Sequence, residues 1–351
     1  MKVYIICPYL KTGGPRSFHQ LANQLVQRGL DVYMFYGEHG LTYKTDRVLY
    51  DDCKAKIAEE IEDVPGNVVI VPESDTGWLL KYKNILGVIW WVSLNFYLTS
   101  NLWVAARNKT IYLGDPKLKA LGRYIKYELD YMRTHKSRKY VKKSGDLQKF
   151  YHLYNSEYAA DYLRKRGITE DSLQYLCGPI DVITTDNAQT IKDNKEDIIA
   201  FNPTKANKVM LKNIKAYMAK YYPQVRFIEI IGMTREQVAD TLKKAKVYLD
   251  LGYFPGPERI PREAVTYYCN IVTSNLGSAS NNVDVPIPRE YKFAMQVDSV
   301  APMCELMAKM IMDFSAYTTN FDKYRAHVQE QIQRFDKDID IFCEYIEKNN
   351  A

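Results

Sequence analysis

The 351-residue chain lacks several features that would place it in a specialised class of protein. Its six cysteines are scattered and form no C-x-x-C pair, so we expect reduced thiols, a cytoplasmic location and no metal site. The 17 glycines and 14 prolines are too few for a linker-rich or disordered chain. No apolar run approaches the ~20 residues of a membrane-spanning helix. Residues 1–7 predict a strand rather than a secretory leader.

Strong charge of one sign is also missing over the whole chain. Lysine and arginine number 48 against 42 acidic residues, a net charge of +6, which is too weak to indicate nucleic acid. The excess is concentrated in Lys117–Lys149, where eleven basic residues accompany three acids and alternate with aromatic and aliphatic side chains. We interpret this stretch as a surface for an anionic membrane, with a solvated helical face as the alternative.

What the sequence does contain is an alternation of short apolar runs and amphipathic helical patterns. This alternation predicts parallel strands that helices cover on both faces. The predicted strands are residues 3–7, 32–36, 68–71, 85–91, 111–113, 151–154, 173–176, 198–201, 227–231, 247–251 and 271–273. Helices are predicted between them, one of them with a capping box formed by Thr234 and Gln237, and two more helices close the chain.

The polar stretch 184–197 divides these strands into two series. The fold class is therefore α/β, with two Rossmann-like, doubly wound parallel-sheet domains that we expect to face a cleft, followed by C-terminal helices. The expected domains are residues 1–183 and 198–318, joined by the linker 184–197. We expect the final helix, 319–351, to pack back on the first domain.

Doubly wound sheets bind ligands beyond the carboxyl ends of their strands, so the loops at those ends hold the candidate residues. Gly13 and Gly14 follow the first strand and precede a helix, where backbone can approach an anion closely; a tight turn that needs glycine is the alternative. Neither the dinucleotide G-x-G-x-x-G nor the phosphate-loop G-x-x-x-x-G-K-[ST] fingerprint is present.

Three loops of the second half carry further candidates. Asn202 and Lys205 follow one strand, and Ser278 follows another. Between them, residues 252–264 place Glu258, Arg259, Arg262 and Glu263 within six positions; guanidinium groups can fork onto a diphosphate, and a carboxylate can accept hydrogen bonds from ribose hydroxyls. Each segment also has an alternative interpretation. Lys205 would be a surface lysine, the charged residues 258–263 would form salt bridges at a solvated helix start, and Ser278 would lie in an ordinary polar loop.

Taken together, these segments resemble the nucleotide-sugar-binding domain of GT-B glycosyltransferases, in particular those of bacterial capsule and surface-polysaccharide synthesis. The resemblance rests on the following stretches: Tyr154-Asn155-Ser156-Glu157-Tyr158, Phe201-Asn202-Pro203-Thr204-Lys205, Met233-Thr234-Arg235-Glu236-Gln237, Pro255-Gly256-Pro257-Glu258-Arg259-Ile260-Pro261-Arg262-Glu263-Ala264 and Gly277-Ser278-Ala279. It spans roughly residues 154–293, and 255–264 is its most specific part.

The resemblance implies a donor held mainly by the second domain, without metal or other cofactor. Glu263 would bind the nucleotide ribose, Lys205 and Arg259 the diphosphate, and the backbone around Met233 and Thr234 would border the base. Many retaining members carry E-x7-E, whereas Pro255 stands eight positions before Glu263 here. Glu258 is therefore expected to act in its place, or the role is absent, and retention or inversion of configuration stays open.

Residues of the first half are assigned to the acceptor. His19 lies on the helix after the two glycines, as a candidate catalytic residue or a surface or capping histidine. Trp91, Ser93 and Asn95 follow a strand within a dense aromatic set, which would line an acceptor cleft or form strand core.

These interpretations predict a glycosyltransferase of hexosyltransferase type that moves a sugar from a nucleotide-diphosphate sugar to a glycan acceptor in surface-polysaccharide synthesis. A lipid-linked glycan on the inner face of the cell membrane would fit the basic stretch, and no nucleic-acid partner is expected. The alternatives are a nucleotide-sugar epimerase of the same fold and a non-catalytic two-lobed sugar or nucleotide binder.

Overall fold

The structure, a computed structural model, describes residues 1–113, 115–134, 139–182, 186–204 and 206–349. Its internal contacts divide the chain into two units. Unit 1 comprises Met1–Ile111, Asp115–Pro179 and the chain from Gln333 onward. Unit 2 comprises Ile180–Ile332 and the short segment 112–114.

Unit 1 is built on a largely parallel sheet with helical connections. Its elements, in chain order, are β1 (Lys2–Cys7), α1 (Gly13–Gln27), β2 (Asp31–Glu38), β3 (Leu41–Thr42), β4 (Lys56–Ile57), β5 (Val68–Pro72), β6 (Leu86–Trp91), α2 (Leu94–Thr99), α3 (Leu102–Tyr112), α4 (Lys119–Thr134), α5 (Ser144–Leu147), β7 (Tyr151–Tyr154), α6 (Glu157–Arg164) and β8 (Leu173–Tyr175).

The strands of unit 1 follow the order β3-β2-β1-β5-β6-β7-β8, and β4 also pairs with β2. All these pairs are parallel except β2 with β3. The chain leaves β1 toward β2 and later returns to β5 on the other side, so the topological switch point lies between β1 and β5. Every residue of β5 is buried, as expected for a strand that helices cover on both faces.

Unit 2 repeats this architecture with a smaller sheet. Its elements are α7 (Ala188–Asp193), β9 (Glu196–Phe201), α8 (Lys208–Tyr221), β10 (Arg226–Glu229), α9 (Arg235–Lys244), β11 (Ala245–Asp250), α10 (Arg259–Thr266), β12 (Asn270–Ser274), β13 (Lys292–Phe293), α11 (Val300–Met312) and α12 (Phe314–Thr318). The strand order is β10-β9-β11-β12-β13, and every pair is parallel. The switch point of this sheet lies between β9 and β11.

The last helix, α13 (Asp322–Asn349), contributes to both units along its length. Its residues up to Ile332 belong to unit 2, and those from Gln333 belong to unit 1. In unit 1 its buried face fills the core beside the sheet with Phe335, Ile339, Phe342 and Ile346. The amide Nε2 of Gln174, on β8, donates a hydrogen bond to the carbonyl of Asp338 at 2.5 Å and fixes the helix against the sheet edge.

Two predictions about the chain path differ from the structure. The apolar run 111–113 was expected to form a strand, but Ile111 and Tyr112 are the last residues of α3. A three-residue apolar run does not distinguish a strand from the end of a helix, so that prediction was wrong. The segment 184–197 contains the helix α7, whose N-cap Asn187 accepts a hydrogen bond from Thr190, and the first residues of β9. A polar composition therefore concealed regular structure there.

Candidate functional site

The main candidate site lies at the carboxyl ends of the strands of unit 2. Asn202 directly follows β9 and Leu251 directly follows β11, the two strands that border the switch point. At such a point adjacent loops diverge and leave a crevice for a ligand. The loop after β11 leads straight into α10, whose N-cap is Glu258 and whose first residue is Arg259.

Hydrogen bonds fix the loop between β11 and α10 in place. At its start, the amide of Gly252 donates to Asp250 Oδ1 at 2.9 Å, and the Ser274 hydroxyl donates to the carbonyl of Gly252. Further along, Phe254 and Ser278 are linked by a backbone bond of 2.8 Å, and the Ser278 hydroxyl donates to the carbonyl of Gly256 at 2.8 Å. The charged residues that follow are therefore presented by an anchored loop.

Gly277 is required at the point where this loop meets the one after β12. Its φ is +64°, a conformation that side chains with a Cβ rarely adopt. A Cβ at this position would lie 1.9 Å from the carbonyl oxygen of Phe254. Only glycine therefore permits the close approach of the two loops.

A charged network extends from the start of α10 to a carboxylate that lies far away in sequence. Arg259 Nε donates to Glu263 Oε1 at 2.6 Å, and its Nη2 donates to Asp181 Oδ2 at 3.0 Å. The same oxygen of Asp181 accepts a hydrogen bond from Arg235 Nη1, the first residue of α9, at 2.7 Å. Two guanidinium groups from the first residues of different helices thus converge on one anionic oxygen.

Burial strengthens the interactions of this network. Desolvation disfavours the charge of Arg259, but Glu263 and Asp181 outweigh it and raise the pKa of Arg259 above its ordinary value. Desolvation raises the pKa of the Glu263 carboxyl, and the positive charge of Arg259 offsets only part of that effect. The Arg259–Glu263 pair is held together at low dielectric, so both side chains keep a fixed orientation.

Several other residues that were predicted to bind the nucleotide-sugar donor lie at the carboxyl ends of the unit 2 strands. Asn202 Oδ1 accepts from the amide and the hydroxyl of Thr204, which closes a tight turn after β9. Thr234 and Gln237 form the predicted capping box of α9, and this prediction is confirmed. Met233 is half-buried beside this cap, and its sulfur accepts from Thr241 at 3.8 Å. Lys205 lies outside the described residues.

Two residues that were predicted to bind the nucleotide-sugar donor are buried and make contacts within the protein. Arg262 is buried, and its Nη1 donates to Gln331 Oε1 on α13 at 3.3 Å, so it links α10 to the last helix. Ser278 is also buried, and both its hydroxyl and its amide bond the carbonyls of the neighbouring loop. The first case follows from the burial of five consecutive residues of α10, 261–265, which include Arg262.

In unit 1, the predicted glycine loop lies at the start of α1. Gly13 and Gly14 are the first two residues of that helix, Thr12 is its N-cap without a side-chain cap, and no acidic residue lies in the first turn. An added Cβ on Gly13 would meet no atom within 4 Å, and one on Gly14 would lie 3.8 Å from Val92. The helix terminus therefore presents its backbone donors without a carboxylate of its own helix beside them.

His19 is fully buried, and the structure gives it a structural role in place of the catalytic one expected from the sequence. Its Nδ1 lies 2.7 Å from the carbonyl of Pro15 and its Nε2 lies 2.9 Å from the hydroxyl of Tyr36. Burial lowers the pKa of His19, which favours the neutral ring. The four-residue spacing from Pro15 turns this side chain into the helix and the core.

The predicted acceptor residues after β6 divide into core and strand-end positions. Trp91 is completely buried, and its indole donates to His152 Nδ1 at 2.9 Å, so it belongs to the core of unit 1 and is not a cleft residue. Ser93 is the buried N-cap of α2, and its hydroxyl has no hydrogen-bond partner. Asn95 is half-buried in the first turn of α2.

Glu73, which was not among the residues predicted from the sequence, directly follows β5 at the switch point of unit 1. Its Oε2 accepts from the amide of Val92 at 2.9 Å, while Oε1 is buried without a hydrogen-bond partner. Desolvation raises the pKa of this carboxyl to about 8. Asn155, which directly follows β7, donates to the carbonyl of Val92 at 3.0 Å. An acid directly after an apolar strand was the available sequence signal for Glu73.

Asp181 was also missed, and here the sequence holds no local signal. Its partners Arg235 and Arg259 lie 54 and 78 residues away. Among the described residues, no group of three or more His, Cys, Asp or Glu side chains is arranged to hold a metal ion. No helix within the described ranges has the length and apolar character needed to cross a membrane.

Comparison with known proteins places the fold. No family model matches the chain, and no curated protein sequence is a match. Among solved structures, it is similar to sucrose-phosphate synthase from Thermosynechococcus elongatus, with a TM-score of 0.60 and 12% identity over 99% of this chain and 98% of that one. Anabaena Alr3699/HepE in complex with UDP-glucose gives a TM-score of 0.57 and 8% identity over 98% and 100% of the two chains. WaaG, a glycosyltransferase involved in lipopolysaccharide biosynthesis, gives 0.55 and 12% over 97% and 99%.

These similarities extend over almost the whole chain, and they are similarities of fold. The chain has the GT-B fold, with two Rossmann-like units of parallel sheet and helices, which confirms the fold class predicted from the sequence. Shared fold alone does not define a reaction, which depends on the residues of the site.

Proposed function

We propose that the protein is a glycosyltransferase that moves a sugar from a nucleotide-diphosphate sugar to a glycan acceptor. The observation that carries the proposal is the convergence of Arg235 and Arg259 on one oxygen of Asp181 at the ligand-binding edge of the unit 2 sheet. A diphosphate offers the same kind of acceptor oxygen with more negative charge. Solved neighbours of the same fold in complex with UDP and UDP-glucose support a nucleotide-sugar donor.

Residues from several loops and helix starts of unit 2 have roles in this proposal. Arg259 and Arg235 bind the diphosphate, which competes with Asp181 for their Nη atoms. Glu263, oriented by its 2.6 Å bond to Arg259 Nε, accepts hydrogen bonds from the ribose hydroxyls. The backbone at Met233 and Thr234 borders the base, and Lys205 adds positive charge after β9.

The chemistry follows from where charge develops. As the bond between the sugar C1 and the diphosphate oxygen breaks, negative charge grows on the leaving group and positive charge on the sugar ring. Guanidinium donors held in advance stabilise the first without reorganisation, so these side chains replace a metal ion in the proposed mechanism. The role of facing the positive sugar, or of accepting the acceptor's proton, is assigned in this proposal to Glu258, at the N-cap of α10.

The acceptor is proposed to bind unit 1. The starts of α1 and α2, with Gly13, Gly14 and Ser93, and the polar groups of Glu73 and Asn155 lie at the carboxyl ends of its strands. Hydroxyl groups of a glycan are complementary to such mixed donors and acceptors. We further propose a hexose as the transferred sugar and a lipid-linked glycan of surface-polysaccharide synthesis, at the cytoplasmic face of the membrane, as the acceptor.

The first experiment measures donor binding. A panel of nucleotides and nucleotide sugars is screened by thermal shift, since a true donor stabilises the folded state by mass action. The best ligand is then titrated calorimetrically against Arg259→Lys, Arg259→Ala and Glu263→Ala. We expect at least a tenfold rise in Kd for each, because lysine keeps the charge of Arg259 but not its fork of donors.

Arg226→Ala is the matched control. This arginine lies in unit 2 at the first residue of β10, at the opposite end of the strands, and pairs with Glu196 on the surface. It should leave Kd unchanged. Equal affinity of the parent, Arg259→Ala and Glu263→Ala proteins, with circular dichroism spectra intact, would overturn the assigned site.

Turnover distinguishes the proposed reaction from its alternatives. Incubation of the donor with glycan acceptors should release nucleoside diphosphate and give a glycosylated product, and EDTA should not reduce the rate. An epimerised donor formed without acceptor would identify an epimerase instead. Tight donor binding without any product across the acceptor panel would identify a binding protein.

A further inference from the structure

Helix α4 carries an apolar stripe that faces away from its own unit. Only Ala120 of its sixteen residues is buried. Its large apolar side chains are exposed to 56% at Leu121, 51% at Ile125, 44% at Leu129 and 59% at Met132. Leu118, directly before the helix, is 90% exposed. Exposed aliphatic side chains at helical spacing are unusual on a protein surface and indicate an interaction site.

Helical geometry shows that these side chains form one stripe. At ~100° per residue, Leu121, Ile125, Leu129 and Met132 fall within an arc of roughly 80°. The side of the helix that faces unit 1 is a different one, with the buried Ala120 and the half-buried Tyr124, Tyr127 and Tyr131. The helix thus has two separate faces with apolar side chains: one packs against unit 1, and the other is exposed.

Basic residues border the stripe on one side, and Glu128 lies on its other side. Lys119, Lys126 and Arg133 are exposed and share an arc about 100° from its centre. Lys119 Nζ and Arg123 contact Asp115, at 2.8 Å in the first case, so part of this charge is neutralised within the protein. The helix nevertheless carries four basic residues against two acids, and exposed lysines at 139, 142, 143 and 149 follow it in the chain.

A partly exposed tryptophan lies beside the helix. Trp103, on α3, is 46% exposed, and its ring lies 5.9 Å from that of Tyr124 on α4 in an edge-on arrangement. Tryptophan is enriched at the boundary between headgroups and acyl chains, because its ring is apolar and its N–H is polar.

We propose that α4 lies in the plane of an anionic lipid bilayer, with the stripe from Leu118 to Met132 inserted among the acyl chains and the flanking basic residues bound to headgroups. Charge complementarity selects this occupant, because an apolar stripe that carries cations along one side matches acyl chains that lie beneath anionic headgroups. The attachment is interfacial and reversible. It does not depend on the reaction proposed above, since all the residues concerned lie in unit 1 and outside the donor site.

The test uses the full-length protein and vesicles of two compositions. Co-flotation is measured with phosphatidylcholine alone and with phosphatidylcholine containing one third phosphatidylglycerol. We expect binding to the anionic vesicles that weakens as salt is raised, because headgroup attraction is screened. The triple variant Leu121→Gln, Ile125→Gln, Leu129→Gln should lower the partition coefficient at least tenfold.

Matched controls separate this effect from general loss of apolar or positive surface. Val283→Gln, Val297→Gln, Met312→Gln replaces three exposed apolar side chains of unit 2 and should leave partitioning unchanged. Lys119→Gln, Lys126→Gln, Arg133→Gln should weaken binding to anionic vesicles, whereas Lys44→Gln, Lys54→Gln, Lys83→Gln at exposed sites elsewhere should do so less.

Two results would overturn the proposal. One is equal flotation of the parent and the stripe variant. The other is a self-associating parent that the stripe variant converts to a monomer without changing vesicle binding, because the stripe would then cover a second copy of the chain. Donor affinity, measured separately, should be the same in all these variants, so failure here is independent of failure of the donor site.

Discussion

The carboxyl group of Glu73 shows how one residue can depend on the packing around it. Burial raises its pKa to about 8, far above the ordinary value of 4.5, because desolvation of the carboxylate outweighs the hydrogen bonds that it accepts from the backbone. The folded protein therefore holds this proton more tightly than the unfolded chain. The free energy of unfolding must then fall as the pH rises from ~4.5 toward 8, where the folded group also ionises.

Glu73→Gln should make the protein more stable at neutral pH. The amide oxygen can still accept from Val92, and the group no longer ionises in the unfolded chain. We expect a gain of about 4 kcal/mol at pH 7.5 that almost disappears near pH 4.5, measured by urea unfolding at both pH values. Glu60→Gln, at an exposed position, is the control. A gain of the same size at both pH values would contradict the expectation.

Asp181 is the second residue whose role is set by distant partners. Its carboxylate accepts from both Arg235 and Arg259, the two groups that bind a diphosphate oxygen in the proposed donor complex. Asp181→Asn removes the competing charge, so nucleotide affinity should rise several-fold at low salt and the gain should shrink as salt screens it. Calorimetric Kd values with the best ligand of the thermal-shift panel measure this.

The control for that measurement is Asp197→Asn. Asp197 pairs with Lys246 at 2.6 Å near the N-terminal ends of β9 and β11, away from the ligand-binding edge. Its substitution should not change Kd. Weaker binding by Asp181→Asn would show that the carboxylate positions the two guanidinium groups for the ligand instead of competing with it.

At the scale of an element, the C-terminal part of α13 supplies core side chains to unit 1 from far along the chain. Ile339 is fully buried there, whereas Ile341, two residues later, is 43% exposed. Ile339→Ala should cost about 2 to 5 kcal/mol of unfolding free energy, and Ile341→Ala less than about 0.5 kcal/mol. Chemical denaturation of the two variants compares the same isoleucine-to-alanine substitution at a buried and at an exposed position. Equal losses would mean that the helix is not docked in this register.

Element boundaries also show where sequence patterns suffice. The run Val68–Val71 predicted a buried strand, and β5 is confirmed there because such a run satisfies both covered faces of a sheet. The capping box of Thr234 and Gln237 could also be predicted from the sequence, since both of its hydrogen bonds join residues three positions apart. The prediction of a strand at 111–113 was wrong because three residues are too few to show a periodicity. Helix α7 was not predicted because it is short and mostly exposed.

At the scale of the whole molecule, all six cysteines are buried, free thiols. Burial raises the pKa of the Cys7 and Cys269 thiols among others, which keeps the reactive thiolate scarce. Ellman's reagent should therefore detect almost no thiol in the native protein within minutes and six in denaturant. The melting temperature should not change with reductant. Rapid modification of several native thiols would contradict the packing of both units.

The sequence by itself determined the secondary structure of most strands, the two-series α/β architecture and the loop and helix start that carry Arg259 and Glu263. These depend on hydrophobic periodicity and on turns, which act over a few residues. Only the tertiary structure decided that His19, Trp91 and Arg262 face inward, that Asp181 joins Arg235 to Arg259 and that Glu73 is buried. Burial and long-range pairing are properties of packed surfaces, and a one-dimensional pattern does not say which surfaces meet.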